Sequence, residues 1–295
     1  SAGGSGGSGV VILRYASSTT ETIAATSGGF LSGDGLDTVS TCNYPTTATA
    51  LYQFEDTPDA TCGPDPSYTQ YLTYNAGVPQ LGSSYKALYF KGGVYNSGVG
   101  TEWLSSTAII DSQQDTSISF WVNFDAFGTG YQYLSTFYAT GDMGLFMAND
   151  GSSTGYSKIR GNVYNGGSQY VISQELVINT WYHVVFTRST SSGMVLYIDG
   201  VQVDTNSSTT QPTSYAYNDS IGCYGYTPSG TRTEFKGLID QYRAFQSVLT
   251  SAQVEALYSE GITTKFTEGS GATEKTVLVF KGGSGTINLT GSSVL

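Results

Sequence analysis

Between Trp181 and Asp204 the chain alternates runs of bulky apolar residues with short polar breaks. Trp181–Thr187 and Met194–Ile198 are rich in aromatic and β-branched residues, and the polar stretch 188–193 separates them. Such runs read as strands joined by a loop. Asp199-Gly200 then interrupts the pattern before Val201–Val203, and Asp-Gly supplies the positive φ angles of a tight hairpin turn. No 3.6-residue period fits, so the stretch predicts a three-stranded antiparallel meander. In Ser117–Phe124, Ile118, Phe120, Val122 and Phe124 fall on one face and Trp121 on the other.

Further strands are expected at Leu51–Glu55, Ala87–Phe90, Gln132–Phe137, Gly144–Ala148, Ile159–Val163, Tyr170–Gln174 and Thr276–Lys281. Their spacing and glycine-rich connections fit a two-sheet sandwich. Residues 56–80, with Pro58, Pro64, Pro66 and Pro79, read as one long loop. One helix is predicted over Ser251–Glu260. Thr250 and Gln253 form a capping box, Val254, Leu257 and Tyr258 make its apolar stripe, and Gly261 suits the C′ position. This helix is expected to close one end of the sandwich.

The ordered segments Ala50–Glu55, Lys86–Phe90, Thr116–Val122, Trp181–Thr187, Met194–Thr205, Phe235–Phe245 and Leu249–Tyr258 resemble the laminin G-like, concanavalin A-like jelly roll. The likeness covers roughly residues 49–262. It implies an all-β, two-sheet antiparallel jelly-roll sandwich, flanked by a Gly/Ser/Thr-rich arm over residues 1–48 and a strand extension over 263–295. Domains of this kind often hold one calcium between an acidic residue near the first strand and an aspartate near the last. That resemblance implies Glu55, Asp56, Asp59 and Asp240 as candidate ligands of a structural Ca2+; a hard cation of this kind takes carboxylate and carbonyl oxygens. The same resemblance gives His183 a structural place in its strand.

The arms carry their own pattern. Ser1–Gly9 is a flexible Gly-Ser run and the strand Val10–Tyr15 follows it abruptly. An exposed strand that apolar would aggregate, so it must pair with another sheet, in this chain or a neighbour. A glycine-rich run entering Val10–Tyr15 also resembles segments of virion and tail-fibre proteins of marine bacteriophages. Leu88–Gly93 and Leu278–Gly283 share five of six residues. Either any strand ending in a glycine turn looks like this, or the two arms build a second small β-element used for docking.

The chain has 295 residues, net charge −11, 38 glycines and 23 tyrosines, with 12% charged residues. The charge excludes a clustered basic surface for nucleic acid or anionic membrane. No apolar run approaches the roughly 20 residues that span a bilayer. No signal-peptide pattern is legible, and a chain starting at Ser1 reads as processed or as a fragment. Three cysteines make no closed framework. Cys42 and Cys62 pair in an oxidising compartment, or all three thiols are free; Cys223 is expected to point into a core.

Catalytic signatures are missing. The single histidine stands near no G-x-S-x-G, and neither H-E-x-x-H nor zinc-type Cys/His spacing occurs. The paired-carboxylate E-x-D-x-x-E of concanavalin-like glucanases is absent too, although two distant carboxylates could meet in the fold. Tyr131, Tyr133, Tyr138, Tyr156, Tyr164 and Tyr170 stand in or beside loops with Asn149, Asp150 and Asn165, and Tyr215, Tyr217, Tyr224 and Tyr226 form a second group. Tyrosine offers a rigid ring and a polar tip for stacking on sugars or proteins; the same rings also serve as core filler. The leading expectation is a non-enzymatic structural or adhesion component of a phage particle. It would be an appendage, fibre or capsid-surface module on the virion surface, docking through its terminal strands on other virion proteins or copies of itself and binding a host glycan. A secreted lectin-like adhesin and a glycan hydrolase with an unrecognised carboxylate pair are the alternatives.

Overall fold

The computed structural model describes residues 11–16, 20–27, 42–70, 72–79, 85–94, 103–107, 109–127, 132–139, 142–149, 157–212, 218–222, 233–260, 263–268, 275–280 and 284–290. In chain order the strands are β1 (Val11–Ala16), β2 (Thr20–Ser27), β3 (Ala50–Tyr52), β4 (Tyr68–Gln70), β5 (Thr73–Ala76), β6 (Lys86–Val94) and β7 (Trp103–Thr107). Then come β8 (Thr116–Phe124), β9 (Tyr133–Ala139), β10 (Asp142–Asn149), β11 (Ile159–Tyr164), β12 (Ser168–Ile172), β13 (Trp181–Ser189), β14 (Gly193–Ile198) and β15 (Val201–Asn206). Next are β16 (Asn218–Ile221), β17 (Thr233–Phe245), helix α1 (Ser251–Tyr258), β18 (Thr263–Glu268), β19 (Lys275–Phe280) and β20 (Ser284–Thr290).

Strands β3 to β17 form two antiparallel layers of a jelly-roll sandwich. The first runs β4-β7-β16-β9-β10-β11-β12; the second runs β15-β14-β13-β8-β17, with β6 and β3 following one another along β17 and β5 beyond β6. A single parallel pair, Glu234 with Tyr133, joins the layers. The meander expected around the Asp-Gly turn is β13-β14-β15, with Asp199 and Gly200 both at positive φ.

Ile118, Phe120, Val122 and Phe124 enter the core between the layers, together with Val184, Phe186, Phe235, Ile239 and Tyr242. Gly161 is part of that contact. A Cβ there would lie 2.4 Å from the Phe186 ring, so glycine lets the two sheets approach. At about 25 cal/mol per Å2 of apolar area, these rings supply most of the cohesion.

Helix α1 sits elsewhere than expected. It lies on the outer face of the second sheet, where Val254 and Leu257 pack with Val185, Tyr197, Phe245, Leu249 and Ala48. Strand β8 is therefore buried on both faces, and Trp121 belongs to a separate cluster with Val78. The Thr250–Gln253 capping box forms, while the helix closes at Ser259, before Gly261; Gly261 lies outside the described residues. The long loop also differs: β4 and β5 lie inside residues 56–80 as short strands paired with β7 and β6. Three or four residues are too few to show a period.

Cys42 and Cys62 form a disulfide with Cα atoms 5.9 Å apart; Cys223 lies outside the described residues. The arms pair with each other. Strand β1 lies against β19, which also pairs β18, and β2 lies against β20. No described helix is long and apolar enough to cross a membrane.

Candidate functional site

On β11, Ile159, Gly161 and Val163 face the core, so alternation turns Arg160, Asn162 and Tyr164 to the outer face of the first sheet. Across the ladder, Asn162 stands opposite Tyr170 of β12 and Tyr164 opposite Ser168. The guanidinium carbon of Arg160 lies 3.9 Å from the centre of the Tyr170 ring, a cation–π contact. Its Nη2 also donates to Asn162 Oδ1 at 2.9 Å. That donor fixes the amide orientation and leaves Asn162 Nδ2 buried with no acceptor. An unpaired buried amide costs roughly 1–3 kcal/mol.

Tyr170 remains 44% exposed. Its strand is lashed to the other layer: Asn206 Nδ2 donates to the Tyr170 carbonyl at 3.0 Å, and Ile172 N donates to Asp204 Oδ2 at 2.8 Å. The outer face thus carries an exposed aromatic ring stacked on a cation, with the fully buried Asn162 amide holding the guanidinium from within. Such a set suits the C–H face and hydroxyl oxygens of a sugar.

The expected ligand residues distribute as follows. Tyr164 ends β11 on this face, and Asn165 follows in the exposed turn, its Nδ2 donating to the Gln211 carbonyl. Tyr133 is half-buried and stands opposite Ala148, itself opposite Arg160. Asn149 holds a register position opposite Ile159. Tyr131, Asp150, Tyr156, Tyr215, Tyr217, Tyr224 and Tyr226 lie outside the described residues. Tyrosine-bearing loops do not point to Arg160 and Asn162, which lie within a strand. The strict alternation of Ile159-Arg-Gly-Asn-Val163 was the available signal.

The acidic residues make a second feature. Asp240 is fully buried on β17, where its Oδ1 accepts from Gln241 N at 2.7 Å and its Oδ2 from Val78 N at 3.2 Å. Glu55 Oε2 accepts from Lys86 N at 2.8 Å, while Glu55 Oε1 is buried without a partner. Burial raises both carboxyl pKa values, and the charge of Glu55 pushes Asp240 up further. Gly77 completes the nook: a Cβ there would fall 2.7 Å from Asp240 Oδ2 and 2.8 Å from the Lys86 carbonyl oxygen. Two repelling carboxyl groups, an orphan oxygen and a nearby carbonyl fit the donor preference of a hard cation. Asp56 and Asp59 stay exposed, and Asp59 accepts from Thr57 Oγ1. Among the described residues, no three His, Cys, Asp or Glu side chains gather as a metal set.

His183 meets Ser119, with Nε2 and Oγ 2.9 Å apart. The pair resembles the start of a hydrolase relay, but both residues are sealed on the outer face of the second sheet, near α1. Burial first, then the nearby Arg243 charge, depress the imidazole pKa to about 3. Beside them Arg243 and Glu260 form a buried ion pair at 2.8 Å. No substrate reaches these groups.

Residues 97–255, more than half of the chain, match the family model described as the concanavalin A-like lectin/glucanases superfamily. No curated protein sequence matches the chain. Among solved structures, domain 4 of AbnA, a GH43 extracellular arabinanase from Geobacillus stearothermophilus in complex with arabinotriose, is 18% identical. Its TM-score is 0.54, covering 72% of this chain and 98% of that one. The binding domain of botulinum neurotoxin DC in complex with SialylT is 14% identical, TM-score 0.52, over 71% of this chain and 50% of that one. A botulinum neurotoxin type C structure, whose cell entry depends on two ganglioside molecules, is 15% identical with TM-score 0.52 over the same shares. At these identities the likeness is one of fold. With the sandwich, its strand order and the family match in agreement, the chain belongs to the laminin G-like members of the concanavalin A-like lectin/glucanases superfamily.

Proposed function

We propose that this domain is a non-catalytic glycan-binding module whose ligand lies on the outer face of β11 and β12. The observation that carries the reading is the exposed Tyr170 ring stacked on the Arg160 guanidinium. The arabinotriose, SialylT and ganglioside named for its structural neighbours supply the ligand class in general terms. Hydrolysis is disfavoured because the two carboxyl groups that do converge, Glu55 and Asp240, include one that is fully buried. The test is a glycan array followed by calorimetry. Tyr170→Ala should weaken binding at least tenfold with an unchanged fold; full affinity in that variant would refute this site.

Within the same reading, Glu55, Asp240 and the Lys86 carbonyl would hold a structural Ca2+, which supplies positive charge to the nook. Added calcium should then raise the unfolding temperature of the wild type and leave Glu55→Gln unmoved. An equal response in both would remove the metal from the proposal.

The finer reading is a virion-surface or extracellular component attached through its arms to other virion proteins or to copies of itself. Strands drawn from both ends of the chain support it, since β1-β19 and β2-β20 bring the arms into joint sheets. The Cys42–Cys62 disulfide is consistent with an oxidising site. Deleting residues 1–15 should leave a folded sandwich that no longer assembles, which light scattering would register; normal assembly of the truncated protein would refute the attachment role.

A further inference from the structure

The second sheet carries a different outward surface alongside the end of helix α1, where Tyr258 shares a cluster with Trp181. Four register partners line up across β13, β8, β17 and β6: Trp181 opposite Asn123, Asn123 opposite Leu238, and Leu238 opposite Tyr89. Alternation sets this row on the outer face, one step along the strands from Trp121 and His183, which lie in the cluster beside Tyr258. All four residues are half-buried. Three interstrand gaps of about 4.8 Å give the row a length of about 14 Å.

Its chemistry is mixed in a particular way. Trp181 and Tyr89 put aromatic rings at the two ends, and Leu238 keeps the interior apolar. Asn123 Oδ1 is a buried acceptor without a donor. At the margin, Asp125 Oδ2 accepts from the Tyr89 hydroxyl at 2.8 Å, and Asp125 N bonds the carbonyl of the half-buried Lys236. An apolar peptide would offer the Asn123 amide no donor, and an anion would meet Asp125. A ligand with flat C–H faces and outward hydroxyl donors satisfies every group in the row.

We infer that the Trp181–Asn123–Leu238–Tyr89 row is a second carbohydrate subsite for a short neutral oligosaccharide, on the sheet opposite Tyr170. Sugar rings stack on Trp181 and Tyr89, the half-exposed Asn123 amide turns outward to accept from a hydroxyl, and Lys236 donates to a ring or hydroxyl oxygen. The module is thereby bivalent, and one chain can bridge two positions of a glycan surface.

Calorimetric titration of the full chain with a panel of neutral trisaccharides, arabinotriose among them, tests this. Two equivalents should bind. Trp181→Ala should remove one equivalent, weakening it at least tenfold, and Tyr170→Ala should remove the other. Trp181 also packs in the Trp121 cluster, so Asn123→Ala provides an independent variant that keeps both rings and should lose the same equivalent. Loss of all binding in Tyr170→Ala, or full binding in folded Trp181→Ala or in Asn123→Ala, overturns the second subsite. Binding that survives Tyr170→Ala and vanishes in Trp181→Ala upholds the second subsite and sinks the first. No binding of any trisaccharide overturns both.

Discussion

Removing Glu260 should unfold this domain more readily than any surface change, because it strands a charge. Arg243 and Glu260 are 1% and 2% exposed in their side chains, and Nη2 lies 2.8 Å from Oε2 and from Oε1. The pair joins β17 to the residue that leaves α1, and Tyr44 covers it, with its hydroxyl donating to the Ala256 carbonyl. Burial and then the Glu260 charge raise the Tyr44 pKa, as expected for a hydroxyl packed against a carboxylate in a dry site. Breaking a buried pair by deleting one partner costs about 3–5 kcal/mol, whereas replacing both by apolar residues of similar volume is often neutral. Glu260→Ala should therefore lower stability by about 3–5 kcal/mol, which for a sandwich of this size shifts Tm by roughly 6–20 °C. Glu260→Leu with Arg243→Met should recover most of that loss. Urea unfolding, followed by fluorescence of Trp121 in the neighbouring cluster, reads both variants. A loss under about 1 kcal/mol in Glu260→Ala would refute the reasoning; so would a double variant as unstable as the two single losses summed.

The buried imidazole sets a pH dependence. His183 stays neutral when folded down to about pH 3, whereas the unfolded chain takes up its proton near pH 6.5. The unfolded state then binds more protons, so stability falls as pH drops from 6.5 towards 3, by up to about 1.4 kcal/mol per pH unit. Replacing His183 with Gln should flatten the part of the urea-midpoint profile due to this group, and an unchanged slope would count against it. Converting Cys42 and Cys62 to Ser opens a loop of sequence separation 20, which should cost about 3 kcal/mol; equal unfolding midpoints with and without reductant would contradict this. Gly161→Ala forces a methyl into the Phe186 ring and should cost about 1–3 kcal/mol by overpacking. Calorimetry would show no shift if the sheets can separate freely.

What the sequence determined by itself was the material of the sheets. Period-2 alternation in Ser117–Phe124 settled which residues face the core, since successive strand side chains must point oppositely. The Asp199-Gly200 turn settled the pairs next to it, Ile198 with Val201 and Tyr197 with Gln202, and Thr250 with Gln253 settled where the helix begins. These are local consequences of backbone sterics and hydrogen bonding. The short strands β4, β5, β7 and β16 were not legible, because strands of three to five residues owe their existence to a neighbour. Nor was the place of α1, since an apolar stripe says that a helix is covered and not by what; only packing put it over Val185 and Phe245. The candidate site divides the same way. The tyrosines offered rings in or beside loops, but the Arg160–Tyr170 stack, the meeting of Glu55 with Asp240 and the Trp181–Tyr89 row join residues from different strands. Their contacts arise from cross-strand register and strand order, which are decided when the sheets assemble.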